Sequence, residues 1–314
     1  MASLLERVRD GGLLAAGRPV VVLLSGGRDS VCLLDLAVEL AGAADVTALH
    51  VNYGLREEAD GDEAHCAALC QRLGAAFAVE RVPGPPRSGN VQAWARDVRY
   101  GAGARLAAAD GARLAAGHTA TDQAETILYR LAASPGRRAL LGMADAAGIL
   151  IRPLLRARAT RADTAAWCEA RGLAWREDST NDSGLYARAR VRNGLIPALR
   201  AVHPEAEHNV LRTAELLREE AEVLDVVVDT ALAGRDRIEL AHLEALPPAL
   251  ARLVVRWLAE RATGALCARA AARLDDILAL DPTGAALDVG DGARAVVGEG
   301  VLRFVRTPPL RART

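Results

Sequence analysis

Short apolar runs alternate with longer helical segments over the first part of the chain. Residues 20–24 form a continuous aliphatic run, which is typical of a strand buried on both faces of a sheet. Apolar residues at 31–40 recur at helical spacing, so a loop and a helix follow this strand. Residues 45–51 and 76–82 predict a second and a third strand, and residues 57–73 predict the helix between them.

The same alternation continues along the next part of the chain. Pro and Gly residues at 83–89 predict an exposed loop, after which Asn90 caps a helix over 91–100. Residues 114–118 predict the end of a fourth strand, and residues 119–126 open the next helix. Strands and helices that alternate at these lengths favour a doubly wound, mainly parallel α/β sheet of the Rossmann-like kind.

Helical patterns dominate the rest of the chain until close to its end. The predicted segments are a helix over 161–171, a polar loop over 175–182, an Arg-rich helix over 186–199, a long amphipathic helix over 210–232, helices over 249–263 and 267–280, and alternating strands over 287–305. We therefore predict one domain at 1–207 and a smaller domain of helices and a β-hairpin at 208–314, with the long helix as linker.

Composition excludes several classes of protein. Of the 314 residues 51% are hydrophobic, but no apolar run approaches the roughly 18 residues of a membrane span. The N-terminal segment lacks the pattern of a signal peptide, so we expect a cytoplasmic protein without a membrane partner. Five cysteines without CxxC spacing indicate reduced thiols. A metal site at His65, Cys66 and Cys70 is the alternative to simple core packing, which we favour because no second ligand cluster accompanies them.

The charge of the chain is unevenly distributed. A formal net charge of −1 gives no overall sign of a nucleic-acid partner, yet residues 149–200 contain ten Arg and five acidic residues. The chain contains no Lys, so every fixed cation is an Arg and no lysine side chain can act as a nucleophile. The sequence does not determine the oligomeric state and leaves a homodimer open.

Residues 25–30, with the sequence SGGRDS, carry the clearest candidate chemistry because they join a buried strand to a helix. Gly26 and Gly27 let the backbone approach a ligand closely. Ser25, Ser30 and the free N–H groups of the helix start can donate hydrogen bonds to phosphate oxygens. No Lys follows the glycines, so this is not a Walker loop. A tight Gly-Gly turn that binds nothing is the alternative.

Other polar residues have both a functional and a structural interpretation. His118 fits either a catalytic group or a capping or core histidine. Asp122 lies in the first turn of a helix, where an acidic residue is favourable in any case. Arg96 and Arg99 share one helix face and fit phosphate binding or a solvated charged surface equally well.

A series of motifs occurs in the order typical of one enzyme family. The motifs are SGGRDS, HVNYGLR, HCAALC, NVQAWARDVRY, GHTATDQAET, LLGM, IRPLL, EDSTN and YARARVRNGLIP. SGGRDS resembles the pyrophosphate-binding loop of the PP-loop ATP pyrophosphatases, and the whole series, over roughly residues 20–200, resembles the tRNA(Ile)-lysidine synthases. SGGRDS alone would fit many PP-loop enzymes, whereas GHTATDQAET with the later motifs is more specific.

The resemblance implies a ligase that works in two steps. ATP would activate the C2 carbonyl oxygen of the wobble cytidine in an isoleucine tRNA with a CAU anticodon, with release of pyrophosphate. The amine of free L-lysine would then displace AMP and give lysidine. The resemblance therefore implies ATP as a substrate, Mg²⁺, and tRNA(Ile) and L-lysine as partners, with the PP-loop domain as the catalytic domain and the C-terminal domain binding tRNA.

The resemblance also assigns individual residues. The catalytic candidates are Asp29, which would also position Mg²⁺, Asp122 and His118. The ATP-binding candidates are Ser25, Gly26, Gly27, Arg28, Asp29, Ser30, His50, Val51, Asn52 and Gly117. The candidates for binding tRNA or substrate are Arg96, Arg99, Gln123, Glu125, Arg152, Asp178, Asn181, Arg188, Arg190 and Arg192.

Part of this last group also has a structural interpretation. Arg188, Arg190 and Arg192 cannot all share one helix face, so we expect them to divide their roles, although an ordinary charged helix is the alternative. Asp178 and Asn181 also fit a turn that is stabilised by its own backbone bonds.

Several positions depart from the family pattern. Thr119 stands where a second His is common, Gln92 where a Glu is common, and Ala189 where an Asn is common. Residues 133–136 replace a more usual Arg-Gly-Ser-Gly, and Pro135 restricts a backbone that Gly would leave free. These departures put the local substrate contacts in doubt.

Two other functions compete with the ligase. A PP-loop tRNA sulfurtransferase of the 2-thiocytidine type would need a cluster or a persulfide pair of cysteines, and Cys66 and Cys70 lack the expected CxxC spacing. A catalytically inactive tRNA-binding relative would keep the scaffold but would release no AMP. The intact SGGRDS and GHTATDQ segments argue against the second alternative.

Overall fold

The computed structural model describes residues 2–55, 59–82, 84–85, 90–133, 137–176 and 187–308. Contacts divide the chain into two compact units, Met1–Leu217 and Arg218–Thr314. The helix Ala206–Leu232 runs across this division, and the domain boundary predicted at 208 lies near its start. Within the described ranges, no helix combines the length and the apolar character that crossing a membrane would require.

The first unit is built on a six-stranded sheet in the order β3-β2-β1-β4-β6-β5. The strands are β1 (Val20–Leu23), β2 (Val46–Asn52), β3 (Ala76–Arg81), β4 (Arg113–Ala115), β5 (Ala146–Ala147) and β6 (Leu150–Ile151). All neighbouring pairs are parallel except β5 with β6. This confirms the predicted doubly wound, mainly parallel sheet. The strand order reverses between β1 and β4, so the loops after these strands meet where such sheets bind ligands.

Helices cover both faces of this sheet. The helices of the first unit are α1 (Leu4–Asp10), α2 (Arg28–Ala41), α3 (Ala59–Leu73), α4 (Val91–Ala109), α5 (Ala120–Ala133), α6 (Arg137–Leu140), α7 (Pro153–Arg156), α8 (Arg161–Ala170), α9 (Ala187–Arg190), α10 (Ile196–Val202) and the start of α11 (Ala206–Leu232). Val20 and Val22 of β1 belong to the core that contains the apolar face of α2, whereas Val21 and Leu23 belong to the core on the other side with Ala102 of α4. Burial on both faces explains the continuous aliphatic run of β1.

Two helices of the first unit differ from the sequence prediction. α4 continues beyond residue 100 to Ala109, and Gly103 lets this added part approach β4 closely, since a Cβ there would lie 2.7 Å from Leu114 Cδ1. A π-helical turn, Val191–Leu195, interrupts the helix predicted over 186–199, and the Ile196 N–H donates to the carbonyl oxygen of Val191 five residues earlier. The next residue, Pro197, has no N–H to donate, which favours this wider turn.

The second unit contains a four-stranded antiparallel sheet in the order β7-β10-β9-β8. Its elements are β7 (Arg237–Glu239), α12 (Leu240–Ala245), α13 (Pro248–Thr263), a 3₁₀ turn (Ala270–Arg273), α14 (Leu274–Leu278), β8 (Ala285–Gly290), β9 (Ala293–Gly298) and β10 (Val301–Arg306). The strands predicted near the end of the chain are present. The prediction of one helix over 267–280 is wrong: this stretch forms the 3₁₀ turn and the short α14, and bonds from the N–H groups of Cys267 and Arg269 to the carboxylates of Glu260 and Asp291 anchor its start to other elements.

Candidate active site

Residues 25–30 form a closed loop between β1 and α2. Gly26 has a left-handed backbone (φ +83°), which a side chain would strain. The Ser30 hydroxyl donates to the Gly27 carbonyl oxygen at 2.7 Å and accepts the Ser25 N–H at 3.2 Å. α2 begins at Arg28, so its first N–H groups and the positive end of its dipole are directed at this loop. The loop therefore has the geometry of an anion site.

The loop after β4 touches the SGGRDS loop at Gly117. A Cβ at this position would lie 3.1 Å from both the carbonyl carbon and the carbonyl oxygen of Asp29, and 3.2 Å from the Ser30 nitrogen. All three atoms belong to the backbone, so only a glycine allows the two loops this close. Gly117 was predicted to bind ATP, and the structure shows it as the contact that joins the two loops.

Three carboxylates at the starts of α2 and α5, the helices that follow these two loops, share one guanidinium group. Arg161 at the start of α8 approaches Asp122 at 2.8 Å, Glu125 at 3.2 Å and Asp29 at 3.9 Å. We call Asp29, Asp122 and Glu125 the acidic cluster. The Thr164 hydroxyl, one turn along α8, donates to Asp29. The sequence analysis singled out the three acids but missed Arg161 and Thr164, which lie in a helix without a recognised motif.

Asp122 is held in the charged form. Its Oδ2 accepts the N–H and the hydroxyl of Thr119, each at 2.8 Å. Burial alone raises the pKa of the Asp122 carboxyl, but Arg161 and the two Thr119 donors outweigh it and leave the pKa below its ordinary value. A charged acceptor therefore lies at the start of α5, next to the SGGRDS loop.

His118 is neutral at physiological pH. Burial, opposed by Asp122 and assisted by Arg152, Arg96 and Arg99, lowers its pKa to about 4. Arg152 Nε lies 3.2 Å from His118 Nδ1. Because arginine can only donate, Nδ1 must be the acceptor, and the ring proton lies on Nε2. His118 can thus donate a hydrogen bond through Nε2, but it is a weak base.

Glu125 is almost fully buried and is bound by two arginines. Arg192 Nε and Nη2 donate to its two carboxylate oxygens at 2.7 and 3.1 Å, in addition to the contact with Arg161. Arg192 reaches the acidic cluster from the π-helical turn, whereas Arg188 and Arg190 are exposed on α9. The structure thus divides the three arginines between two environments.

A second group of charged residues consists of arginines around His118 and Arg130. Burial lowers the pKa of Arg130, and Arg188, Arg96 and Arg152 lower it further. Arg96 and Arg99 also act on His118, and both lie close to the ring of Tyr100. We call Arg96, Arg99, Arg130, Arg152 and Arg188 the basic group. Arg130 was not predicted, and its side chain also donates to the Gly142 carbonyl oxygen at 2.8 Å. Positive charges that lie close enough to repel one another form a surface that attracts a polyanion.

Gln123 has a structural role in this arrangement. Its side-chain NH₂ donates to the Met143 carbonyl oxygen at 2.9 Å, and its side-chain oxygen accepts the Met143 N–H at 2.7 Å. The residue is buried, so both ends of its amide are used inside the protein. We predicted Gln123 as a substrate contact; in the structure its side chain binds the backbone of the loop before β5.

The three residues predicted to bind ATP at the end of β2 are also engaged with the protein. His50 Nδ1 lies 2.9 Å from the Leu24 carbonyl oxygen, and Val51 is buried within the sheet. The Asn52 side chain donates to Asp60 at 3.1 Å and to Glu63 at 3.0 Å. The His50 bond joins the ends of β1 and β2, and the Asn52 bonds join the end of β2 to α3.

A family model described as a PP-loop domain matches residues 3–199. A tRNA(Ile)-lysidine synthase from Symbiobacterium thermophilum is 36% identical over an alignment that covers 98% of this chain and 70% of that protein. The tRNA(Ile)-lysidine synthases from Thermus thermophilus and Pseudomonas putida are 39% and 37% identical to it, over 77% and 76% of this chain.

The chain belongs to the tRNA(Ile)-lysidine synthase family. It spans 48% and 60% of the Thermus and Pseudomonas relatives, so it matches about half of these longer proteins. Among solved structures, a U34-tRNA thiolase from Methanococcus maripaludis, determined with its iron–sulfur cluster, has a TM-score of 0.58 at 19% identity and covers 68% of this chain and 78% of its own. This second likeness shows a common fold.

Two departures from the lysidine synthase pattern have a clear place in the structure. Thr119, where a second His is common, supplies the N–H and hydroxyl that bind Asp122. Ala189 is buried on α9, and Gln92 is exposed at the start of α4. Residues 134–136 and the predicted substrate residues Asp178 and Asn181 lie outside the described part of the chain.

The fit of Mg²⁺ depends on Asp29. The described ranges contain no group of three or more His, Cys, Asp or Glu side chains that could hold a metal ion by themselves. Mg²⁺ in nucleotide sites is usually held by one or two carboxylates together with substrate phosphates. Asp29, in the first turn of α2, is the carboxylate of the acidic cluster that lies within the SGGRDS loop, so it fits this pattern.

Proposed function

We propose that this chain ligates L-lysine to C2 of the wobble cytidine in tRNA(Ile) with a CAU anticodon. The cytidine carbonyl oxygen attacks the α-phosphorus of ATP, pyrophosphate leaves, and the lysine amine then replaces AMP at C2. The observation that carries the proposal is the contact of Gly117 with the SGGRDS loop, because it places a charged carboxylate and a neutral histidine beside an anion site. Membership of the lysidine synthase family supports it.

The SGGRDS loop would bind the departing pyrophosphate. The first N–H groups of α2, the Ser25 hydroxyl and the dipole of α2 would favour the negative charge that develops there, while the Ser30 hydroxyl donates to Gly27 and holds the loop closed. Mg²⁺ held by Asp29 would supply further positive charge to the phosphate oxygens. This assignment gives Asp29 a role in the first step, and substitution by Ala should abolish AMP release.

Asp122 is the better candidate to accept the proton of the lysine amine. The Arg152 bond occupies His118 Nδ1 and the ring proton lies on Nε2, so this ring has no free nitrogen lone pair to accept a proton. Asp122 is charged, and its Oδ1 is bound by Arg161. We therefore assign proton transfer to Asp122 and hydrogen-bond donation from Nε2 to His118.

The tRNA would contact two separate basic surfaces. In the first unit, the basic group beside His118 suits the phosphates around an extruded cytidine. In the second unit, Arg237 and Arg303 lie directly opposite each other on β7 and β10, and Arg261 lies over the ring of Trp257. Arg237, Arg261 and Arg303 line a cavity of about 370 Å³. Like charges opposite each other weaken a sheet, so their presence on an exposed face suits binding of a polyanion.

The sulfurtransferase alternative is poorly supported by the cysteines. All five are buried and unpaired. Burial raises the pKa of the Cys66 thiol to about 12 and that of the Cys70 thiol to about 11, whereas a persulfide-forming cysteine needs an accessible thiolate. The same burial favours core packing over the metal site considered for His65, Cys66 and Cys70.

The deciding experiment is incubation of the chain with CAU-anticodon tRNA(Ile), ATP and labelled lysine, followed by analysis of the nucleosides. We expect labelled lysidine and one AMP per ligation, and none of either with Asp29→Ala. A matched tRNA whose wobble base is uridine serves as the control. Formation of 2-thiocytidine, or tRNA binding without AMP release, would refute the proposal in favour of one of its two rivals.

A further inference from the structure

The start of α8 is fixed in place by several hydrogen bonds. The Thr160 hydroxyl accepts the Asp163 N–H at 3.2 Å, and Asp163 Oδ2 accepts the Thr160 N–H at 2.7 Å, which forms a reciprocal N-cap. Arg7 also donates to Asp163 at 2.7 Å. Residue 161 is therefore the first residue of a helix whose end cannot easily shift.

The same helix start is attached to α5. The Ala120 N–H donates to the Ala159 carbonyl oxygen at 2.7 Å, and the Arg161 N–H donates to the Thr121 hydroxyl at 3.3 Å. From this position the Arg161 side chain reaches Asp122 and Glu125 on α5 and Asp29 on α2. Arg161 thus connects Asp29 in the SGGRDS loop to Asp122 and Glu125 on α5.

The chemistry of the contact requires a guanidinium group. Three carboxylates that lie this close repel one another, and each one contacts a different nitrogen of Arg161: Nε, Nη1 or Nη2. A lysine ammonium carries the same charge but has a single nitrogen on a flexible stem, so it cannot maintain the three directions at once. Arg192 also binds Glu125, through both of its carboxylate oxygens.

We propose that Arg161 is a positioning residue that keeps the acidic cluster assembled and aligns Asp29 with Asp122. This proposal rests on the proposed function for its kinetic test, but it concerns the arrangement of the side chains. Arg161 acts through the carboxylates, and no contact with a reacting atom is required. Thr164 supports it by holding Asp29 from the next turn of α8.

The kinetic test compares Arg161→Met, Arg161→Lys and the control Arg171→Met. Arg171 lies at the other end of α8 and binds Asp35 at 2.7 Å and Glu39, both on α2, so its loss removes a similar link between the same two helices away from the cluster. We expect Arg161→Met to lower kcat roughly 100-fold, with a change in the KM for ATP below about 3-fold, because the acids are present but misaligned. Arg161→Lys should recover only part of kcat, and millimolar guanidinium should partly rescue Arg161→Met. Arg171→Met should lower the melting temperature and leave kcat unchanged.

The result that would overturn the proposal is an unchanged kcat in Arg161→Met, or an equal loss of kcat in Arg171→Met. A second measurement does not depend on activity: unfolding in denaturant of Arg161→Met, Asp122→Asn and the double variant. We expect the effects of the two substitutions to be non-additive, and simple additivity would contradict the contact. If wild-type protein forms no lysidine, the proposed function fails, and this cycle still decides whether Arg161 holds the cluster.

Discussion

Gly117→Ala tests the contact on which the candidate site depends. The new methyl group would lie 3.1 Å from the carbonyl carbon and oxygen of Asp29 and 3.2 Å from the Ser30 nitrogen. Ordinary contacts between carbon atoms are about 3.5–4.0 Å, so the two loops must separate by roughly 0.5 Å. Neither loop can avoid the clash by a side-chain rotation, because the atoms involved belong to the backbone.

The magnitude follows from the cost of inserting a methylene group into a filled space. Such substitutions cost roughly 1–3 kcal/mol, and every 1.4 kcal/mol is about a tenfold change in an equilibrium constant. If the strain is relieved by moving the SGGRDS loop, ATP affinity should fall roughly 5- to 150-fold. If the loop stays in place, the same cost appears as lost stability of the fold.

The assay is calorimetric binding of a non-hydrolysable ATP analogue, together with thermal unfolding. Gly103→Ala is the matched control, since its Cβ would lie 2.7 Å from Leu114 Cδ1 and 3.0 Å from Leu23 Cδ2, between α4 and the sheet. That variant should lower the melting temperature and leave ATP affinity nearly unchanged. Wild-type affinity and stability in Gly117→Ala would refute the close approach of the two loops.

Three further predictions concern single residues. NMR titration of the His118 ring should give a pKa of about 4, below the ordinary 6.5. The unfolded chain therefore binds a proton at a higher pH than the folded chain, so the free energy of unfolding should fall as the pH drops from about 6.5 to 4. His118→Asn should lack this part of the pH dependence. Thr164→Val keeps the shape of a fully buried side chain but removes the donor to Asp29, so the free energy of unfolding should fall by about 1.5–3 kcal/mol, and a loss below about 0.5 kcal/mol would contradict this bond. Arg237→Glu replaces a like-charge pair with Arg303 by an opposite-charge pair, so it should stabilise the second unit by about 0.2–1 kcal/mol. It should also weaken tRNA binding at low salt, and an unchanged affinity in a filter-binding titration would exclude this surface as a tRNA contact.

The sequence by itself determined the scaffold and the position of the SGGRDS loop. The aliphatic run of β1 indicated burial on both faces, and the structure has helices on both sides of this strand. Glycines and hydroxyl residues between a buried strand and a helix have few structural alternatives, so a short local pattern was enough. The same local rules failed for residues 267–280, where only Leu274–Leu278 is α-helical and the N–H groups of Cys267 and Arg269 are bound by the distant carboxylates of Glu260 and Asp291.

Only the tertiary structure decided which charged groups meet. Arg161 and Thr164 lie more than 130 residues after Asp29, and nothing in their local sequence indicates that they approach it. The family resemblance implied a substrate contact for Gln123, but the fold directs its amide to Met143. Hydrophobic periodicity records how each segment is buried, because burial depends on one face of one element. Contacts between charges depend on strand order and helix packing, which bring distant segments together and which no local pattern encodes.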